Sequence, residues 1–314
     1  MRILMLLLLT FAVSCGSHKK KDEDPVDEGM KTALLARHDL YLSLQPTALD
    51  SHGYAHAKCD SVGFTSLCKA AGGCKDADIF ASETEGRWYR SPEKDCFDLG
   101  ESKSDFSKDM ALMLFVYFYE LSKTDGAKAA EGITRFRTYV KANNYVMGRP
   151  TDTAEGLSRV VMSPTLIALM EKLYSKLTLL PEEPAPTEVV DIIPVITDGF
   201  QAHLDILSIW LGGELNGKIS DSDQYILTEQ AKRQPFNALF LAVQHLYKDG
   251  DQTAALQLLS DEVLFPADRL PGSQDRCEEY IYQRDRGDDW DPCEEGKTHD
   301  GVDFIFAGHV AGFW

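Results

Sequence analysis

The sequence predicts an all-α protein of successive antiparallel helix hairpins, with long disulfide-stapled loops between some of them. Three observations carry that prediction. From residue 30 onward, apolar residues recur at helical spacing in separate segments. Short breaks containing Gly, Asp or Pro divide neighbouring segments. No run of alternating apolar and polar residues is long enough to build a sheet.

The first helical segment is 30–44, with Leu34, Leu35, Leu40, Tyr41 and Leu44 as its apolar residues. Residues 49–104 are rich in Gly, Ser and Cys and hold no sustained period, so they are expected to be irregular and pinned by disulfides. Ser104 and Ser107 then offer N-caps for a helix over 105–122. Its centre, Met110 to Tyr119, is apolar all round and too short to span a bilayer, which predicts a helix buried in the middle of the domain. After a turn at 123–126, the amphipathic segment 127–143 carries Ile133, Phe136, Tyr139 and Val140 on one side and completes an αα-hairpin. Further helices are expected over 164–180 and, across the Pro-rich 181–186, over 194–211 with Gly212-Gly213 as its C-cap. Segments 235–247 and 251–264 read as another hairpin across Lys248-Asp249-Gly250. A loop-rich acidic stretch, 266–303, precedes an apolar end, 304–314. The hairpins are too unlike one another to be a repeat.

Composition bounds the possibilities. The chain has 314 residues, 44% of them hydrophobic and 26% charged, enough for a sizeable core. It carries 50 acidic against 32 basic residues, a formal charge of −18, so nucleic acid is not expected as a partner.

The amino terminus carries the most specific signal. Arg2 precedes an apolar run from Ile3 to Val13, interrupted only by Thr10, with the length of a signal-peptide core. Ala12-Val13-Ser14-Cys15 resembles the lipobox of bacterial lipoproteins, with Ala12 where that family usually has Leu. The resemblance implies that residues 1–14 are a signal peptide and that Cys15 becomes the lipidated first residue, carrying acyl chains such as palmitate and holding the chain to a lipid bilayer. Gly16, standing where an Asp would retain the protein at the inner membrane, resembles the outer-membrane sorting signal. Residues 15–29 are polar and mixed in charge and read as a flexible tether, leaving 30–314 as a single helical domain with Cys-rich loops at 49–104 and 266–303.

With Cys15 assigned to lipid, Cys59, Cys68, Cys74, Cys96, Cys277 and Cys293 remain. An even number in an exported chain reads as disulfides. Their clustering favours two bridges within 59–96 and one between Cys277 and Cys293. No CxxC pair supports zinc, and the spacing of His52, His56 and Cys59 is interrupted by Gly53, so no metal site is read. No cofactor is expected, although the acidic loop is open to irregular calcium binding. The stretch from Gly212 to Ile219 matches a P-loop only superficially: Ile219 stands where a magnesium-holding Ser or Thr belongs, and a helix pattern precedes it instead of a strand.

Three constellations remain. In Arg87-Trp88-Tyr89-Arg90, aromatic faces and forked guanidinium donors suit a sugar ring or a carboxylated glycan; the plainer reading is an Arg–aromatic packing cluster. Asp109 opens the most apolar helix, where it is either a general acid/base or first-turn charge compensation. Between Cys277 and Cys293, Asp285, Asp289 and Trp290 suit glycan or cation binding, paired carboxylates being what glycosidases use, against the plainer reading of a solvated loop. His203 and Asp205 could add a polar floor. The helix hairpins, these loops and the export signal together resemble the α/α-toroid carbohydrate-active proteins, the six-hairpin glycosidases and polysaccharide lyases. The resemblance implies a toroidal fold and a glycan ligand, and no catalytic assignment is transferred. Two functions are thus expected: an envelope lipoprotein that binds or cleaves a glycan with Asp109, Asp285 and Asp289 as acid/base residues, or a non-catalytic one whose acidic helical body binds an envelope protein.

Overall fold

A computed structural model describes residues 25–55, 61–94, 106–148, 160–184, 202–235, 237–248, 252–261, 270–272 and 300–314. Among these the fold is all-α. The helices are α1 (Pro25–Leu44), α2 (Ser61–Ala70), α3 (Lys108–Leu121), α4 (Gly126–Ala142), α5 (Pro164–Thr178), α6 (Ala202–Asn216), α7 (Asp221–Arg233), α8 (Ala238–Tyr247), α9 (Thr253–Leu259) and α10 (Val302–Val310). Among the described residues the sheet structure is one small antiparallel pair, β1 (Glu83–Thr84) and β2 (Arg87–Trp88), and an isolated bridge between Val146 and Val161.

The apolar centre of α3 does what its composition dictates. Every residue from Met110 to Glu120 is buried, and α2, α4, α5 and α6 pack around it. Each of its large apolar side chains contributes roughly 1.5–3 kcal/mol by leaving water. Helix α4 turns back along α3 as the expected hairpin, opened by Asp125, whose carboxylate accepts from Lys128 N at 3.0 Å. The two helices meet closely: a Cβ on Gly132 would stand 2.5 Å from the Phe118 ring.

Several boundaries differ from expectation, each for a physical reason. Helix α1 begins at Pro25, so residues 25–29 belong to it and not to a tether. Helix α2 lies inside the segment expected to be irregular. Ser61 to Cys68 are all buried, so the helix has no polar side to set up a period. A Cβ on its Gly63 would stand 2.9 Å from Met113 Sδ, so glycine sets its distance from α3. Helix α6 runs straight through Gly212-Gly213 and ends at Asn216, where Gly217 takes the left-handed conformation (φ 72°) and its N–H donates to Gly213 O at 2.7 Å. Helix α7 was hidden by its weak apolar stripe, yet Ser220 and Asp223 form a full capping box. The hairpin of α8 and α9 is shorter than the segments expected, α9 ending at Leu259.

Cys68 and Cys74 are bridged, within the cluster where the cysteine spacing placed two disulfides. Gln45, just past α1, locks that bridge into the fold. Its Nε2 lies 3.1 Å from both Cys68 Sγ and Asp300 O, and its Oε1 accepts from Cys74 N at 2.8 Å. One buried amide thus joins the end of α1, the disulfide loop and the entry to α10. The last residue closes the same corner: Trp314 stacks on His38 of α1 at 4.1 Å, and its Nε1 donates to Ile305 O at 2.9 Å.

Residues 1–24, with Cys15, lie outside the described residues, as do Cys59, Cys96, Cys277, Cys293, Asp285, Asp289 and Trp290. No helix among the described residues is long and apolar enough to cross a membrane.

Candidate functional site

The cationic and aromatic residues at 87–90 fall on the β1–β2 hairpin and its exit. Before it, Asp78 caps a short 3-10 turn (Ile79–Ser82), accepting from Phe80 N. The register pairs Glu83 with Trp88 and Thr84 with Arg87. The two loop residues, Glu85 and Gly86, have φ of 52° and 88°, the left-handed backbone that a two-residue hairpin favours. Space also demands glycine at 86, where a Cβ would stand 2.4 Å from Arg135 O of α4.

Side chains alternate across a strand, and the alternation sorts this sequence into two faces. Trp88 points inward. It is 1% exposed and meets Phe80 and Phe118 edge-on, with ring centroids 5.5 and 5.8 Å away. Glu83, its partner across the hairpin, is covered too, receiving Arg135 at 2.7 Å. Arg87 and Tyr89 point the other way. The Arg87 guanidinium lies 4.6 Å from the Tyr89 ring centroid, and Lys94 Nζ lies 5.9 Å from the same ring. Lys94 Nζ also donates to Thr84 Oγ1 at 2.7 Å, which places Thr84, Arg87, Tyr89 and Lys94 on one outer face. The expected cradle is therefore split: Arg87 and Tyr89 stay together, while Trp88 belongs to the core. Behind the face, Tyr89 N donates to Ser82 O at 2.9 Å and Val62 N donates to Arg90 O at 3.0 Å, fastening the hairpin to α2.

Arg87 is half-buried. Its Nε is enclosed without a hydrogen-bond partner, and no carboxylate pairs with its guanidinium among the described residues. Of the acidic groups close by in sequence, Glu83 pairs with Arg135 and Glu93 with His52 at 2.8 Å, while Glu85 stands exposed in the turn.

A second polar cluster, which no local motif announces, joins α3, α5, α6, α8 and α10. Tyr119 Oη donates to Glu214 Oε2 at 2.9 Å, and Tyr247 Oη lies 3.1 Å from both Glu214 Oε1 and Trp210 O. Burial pushes both phenols up, and Glu214 adds to the effect, so each stays a neutral donor. Lys123 and Lys176 lie 4.8 and 5.1 Å from the Tyr119 ring. Beside them Glu120, 8% exposed, pairs with Lys123 at 2.7 Å and His309 at 3.5 Å. Burial alone would raise the Glu120 carboxyl, but the hydrogen bonds from His309 and Lys123 outweigh it and hold it below its ordinary value. Glu120 is thereby held as a carboxylate between its two cationic partners.

The remaining expected residues sit on other elements. Asp109 is half-buried in the first turn of α3, where it faces the positive end of the helix dipole. His203, 1% exposed, is buried in the first turn of α6, and Asp205 of the same turn accepts from Gln230 Nε2 of α7 at 3.3 Å. Among the described residues no group of three or more His, Cys, Asp or Glu could hold a metal ion. Comparison with family models, with curated protein sequences and with solved structures finds no match to the chain.

Proposed function

We propose that this is a lipoprotein of the bacterial cell envelope, anchored through Cys15 at the outer membrane, whose helical body binds a glycan without cleaving it. The observation that carries the binding half is the outer face of the hairpin, where Arg87 stacks on Tyr89 and pairs with no carboxylate among the described residues. The anchoring half rests on Ala12-Val13-Ser14-Cys15. Cys15 precedes the start of α1 at Pro25 by ten residues, so its acyl chains would tie the helical body to the bilayer. Binding is favoured over hydrolysis because the clustered carboxylates are already spoken for: Glu120 by His309 and Lys123, Glu214 by two phenols, Glu171 by Arg137. A hydrolytic version would call on Asp109 with Asp285 and Asp289. We read the helices as wrapped around α3, buried along its length, and not as a toroid around an open axis.

Three measurements test this. Metabolic labelling with a fatty acid is expected to mark the wild-type chain and not Cys15→Ser; label on both, or on neither, refutes the anchor. Pull-down on an immobilised glycan panel is expected to retain the wild type and to lose Tyr89→Ala. Equal retention of both, or capture only by an envelope protein, refutes the glycan reading. Glycan turnover that disappears in Asp109→Asn would refute the non-catalytic part.

A further inference from the structure

Building on the glycan-binding reading above, we infer that the ligand of the hairpin face is a carboxylated polysaccharide, gripped by the Arg87 guanidinium with Lys94 beside it and Tyr89 as the plate that aligns the fork. The chain carries 50 acidic residues against 32 basic ones, so a cation has ample internal partners to choose from. Arg137 takes Glu171 and Glu183, and Arg135 takes Glu83 and Glu131. Arg87 takes none among the described residues, although its Nε is closed off from water. The enclosed Nε is out of a ligand's reach as well, so the grip falls to the two Nη atoms, a fork that takes a carboxylate supplied from outside by a two-pronged bond. The Tyr89 ring, 4.6 Å from the guanidinium carbon, holds the side chain in place before any ligand arrives, which lowers the ordering cost of binding. Lys94, held by Thr84 on the same face, adds a second positive charge for a neighbouring sugar. The acidic body repels polyanions at long range, so the grip is short-ranged and local to this hairpin.

The test uses the full lipidated chain in a neutral detergent. Three probes are compared by calorimetry: polygalacturonate, the same polymer with its carboxylates fully methyl-esterified, and polyphosphate. Polygalacturonate is expected to bind, more weakly as salt rises, and the ester is expected not to. Arg87→Ala should weaken binding about tenfold or more, and Arg87→Lys should restore only part of it, because an ammonium lacks the fork. Lys232→Ala, on α7 and paired with Glu229, should change nothing. Unaltered circular dichroism melting keeps the Arg87 variants interpretable. Equal binding of the ester, or no effect of Arg87→Ala, overturns the carboxylate inference and leaves glycan binding standing. Binding of polyphosphate through Arg87 in preference to polygalacturonate also overturns it. Binding of neither sugar polymer, with none retained on the glycan panel, overturns both.

Discussion

Gly212 and Gly213 are neighbours in α6, and alanine should act on them with opposite sign. Both lie inside the helix, where replacing glycine by alanine gains about 1 kcal/mol from backbone entropy. At 212 the new Cβ meets only Leu169 Cδ2 at 3.7 Å, an ordinary contact, so the gain is kept. At 213 it would stand 2.3 Å from Cζ and Oη of Tyr247. The ring must move, and its phenol then gives up Glu214 Oε1 and Trp210 O, each 3.1 Å away. A hydrogen bond to a charged acceptor is worth about 1.5–3 kcal/mol. Overpacking a filled site costs about 1–3 kcal/mol more. Gly213→Ala should therefore lose roughly 1.5–5 kcal/mol after the helix gain, while Gly212→Ala gains up to about 1 kcal/mol. Urea unfolding followed by circular dichroism measures both. A third variant isolates the cause: in a Tyr247→Ala background the obstacle is gone, and Gly213→Ala should turn stabilising. Equal shifts from the two glycines, or no reversal without the tyrosine, would refute the reasoning.

Glu171, 2% exposed, receives Arg137 Nε at 2.8 Å, so Glu171→Ala should cost about 1.5–3 kcal/mol in the same unfolding assay by removing a charged hydrogen bond, with Glu183 left as the guanidinium's remaining partner. Replacing Cys68 and Cys74 with serine together should cost about 2 kcal/mol for so short a loop, and should also raise amide exchange at the start of α10, which Gln45 ties to that bridge. Glu120 is held below its ordinary 4.5, so its contribution is complete above that pH and is lost as pH falls through the lowered value. Melting temperature followed from about pH 6 down to about pH 2.5 should fall less steeply in Glu120→Gln than in the wild type.

How far the sequence could be read depended on whether a property was local. The burial of α3 was legible because ten successive apolar residues leave no face for water, whatever surrounds them. The same logic failed for α2, where Ser61, Thr65 and Ser66 look polar but are buried: Thr65 Oγ1 and Ser66 Oγ each donate to a carbonyl one turn back, at Ser61 and Val62. The Glu214 cluster was out of reach for a different reason. Tyr119, Glu214 and Tyr247 come from three helices far apart in sequence, so no spacing announces them, and only tertiary packing gives the carboxylate its two phenols.

Residues 83–89 fall between these cases. Their faces follow from a period of two once the turn is located, and the turn is Glu85-Gly86, whose first residue adopts a positive φ without being the Asn or Asp that usually marks such a loop. Had that signal been present, alternation alone would have sent Trp88 to one side and Arg87 with Tyr89 to the other. The split has a functional consequence. With Trp88 inside, edge-on to Phe80 and Phe118, the hairpin is bolted to α3, and Arg87 is displayed on a backbone that cannot drift. A flexible loop bearing the same four residues could satisfy its guanidinium by folding onto one of the chain's many carboxylates. Rigidity, as much as charge, is what leaves Arg87 available to a ligand.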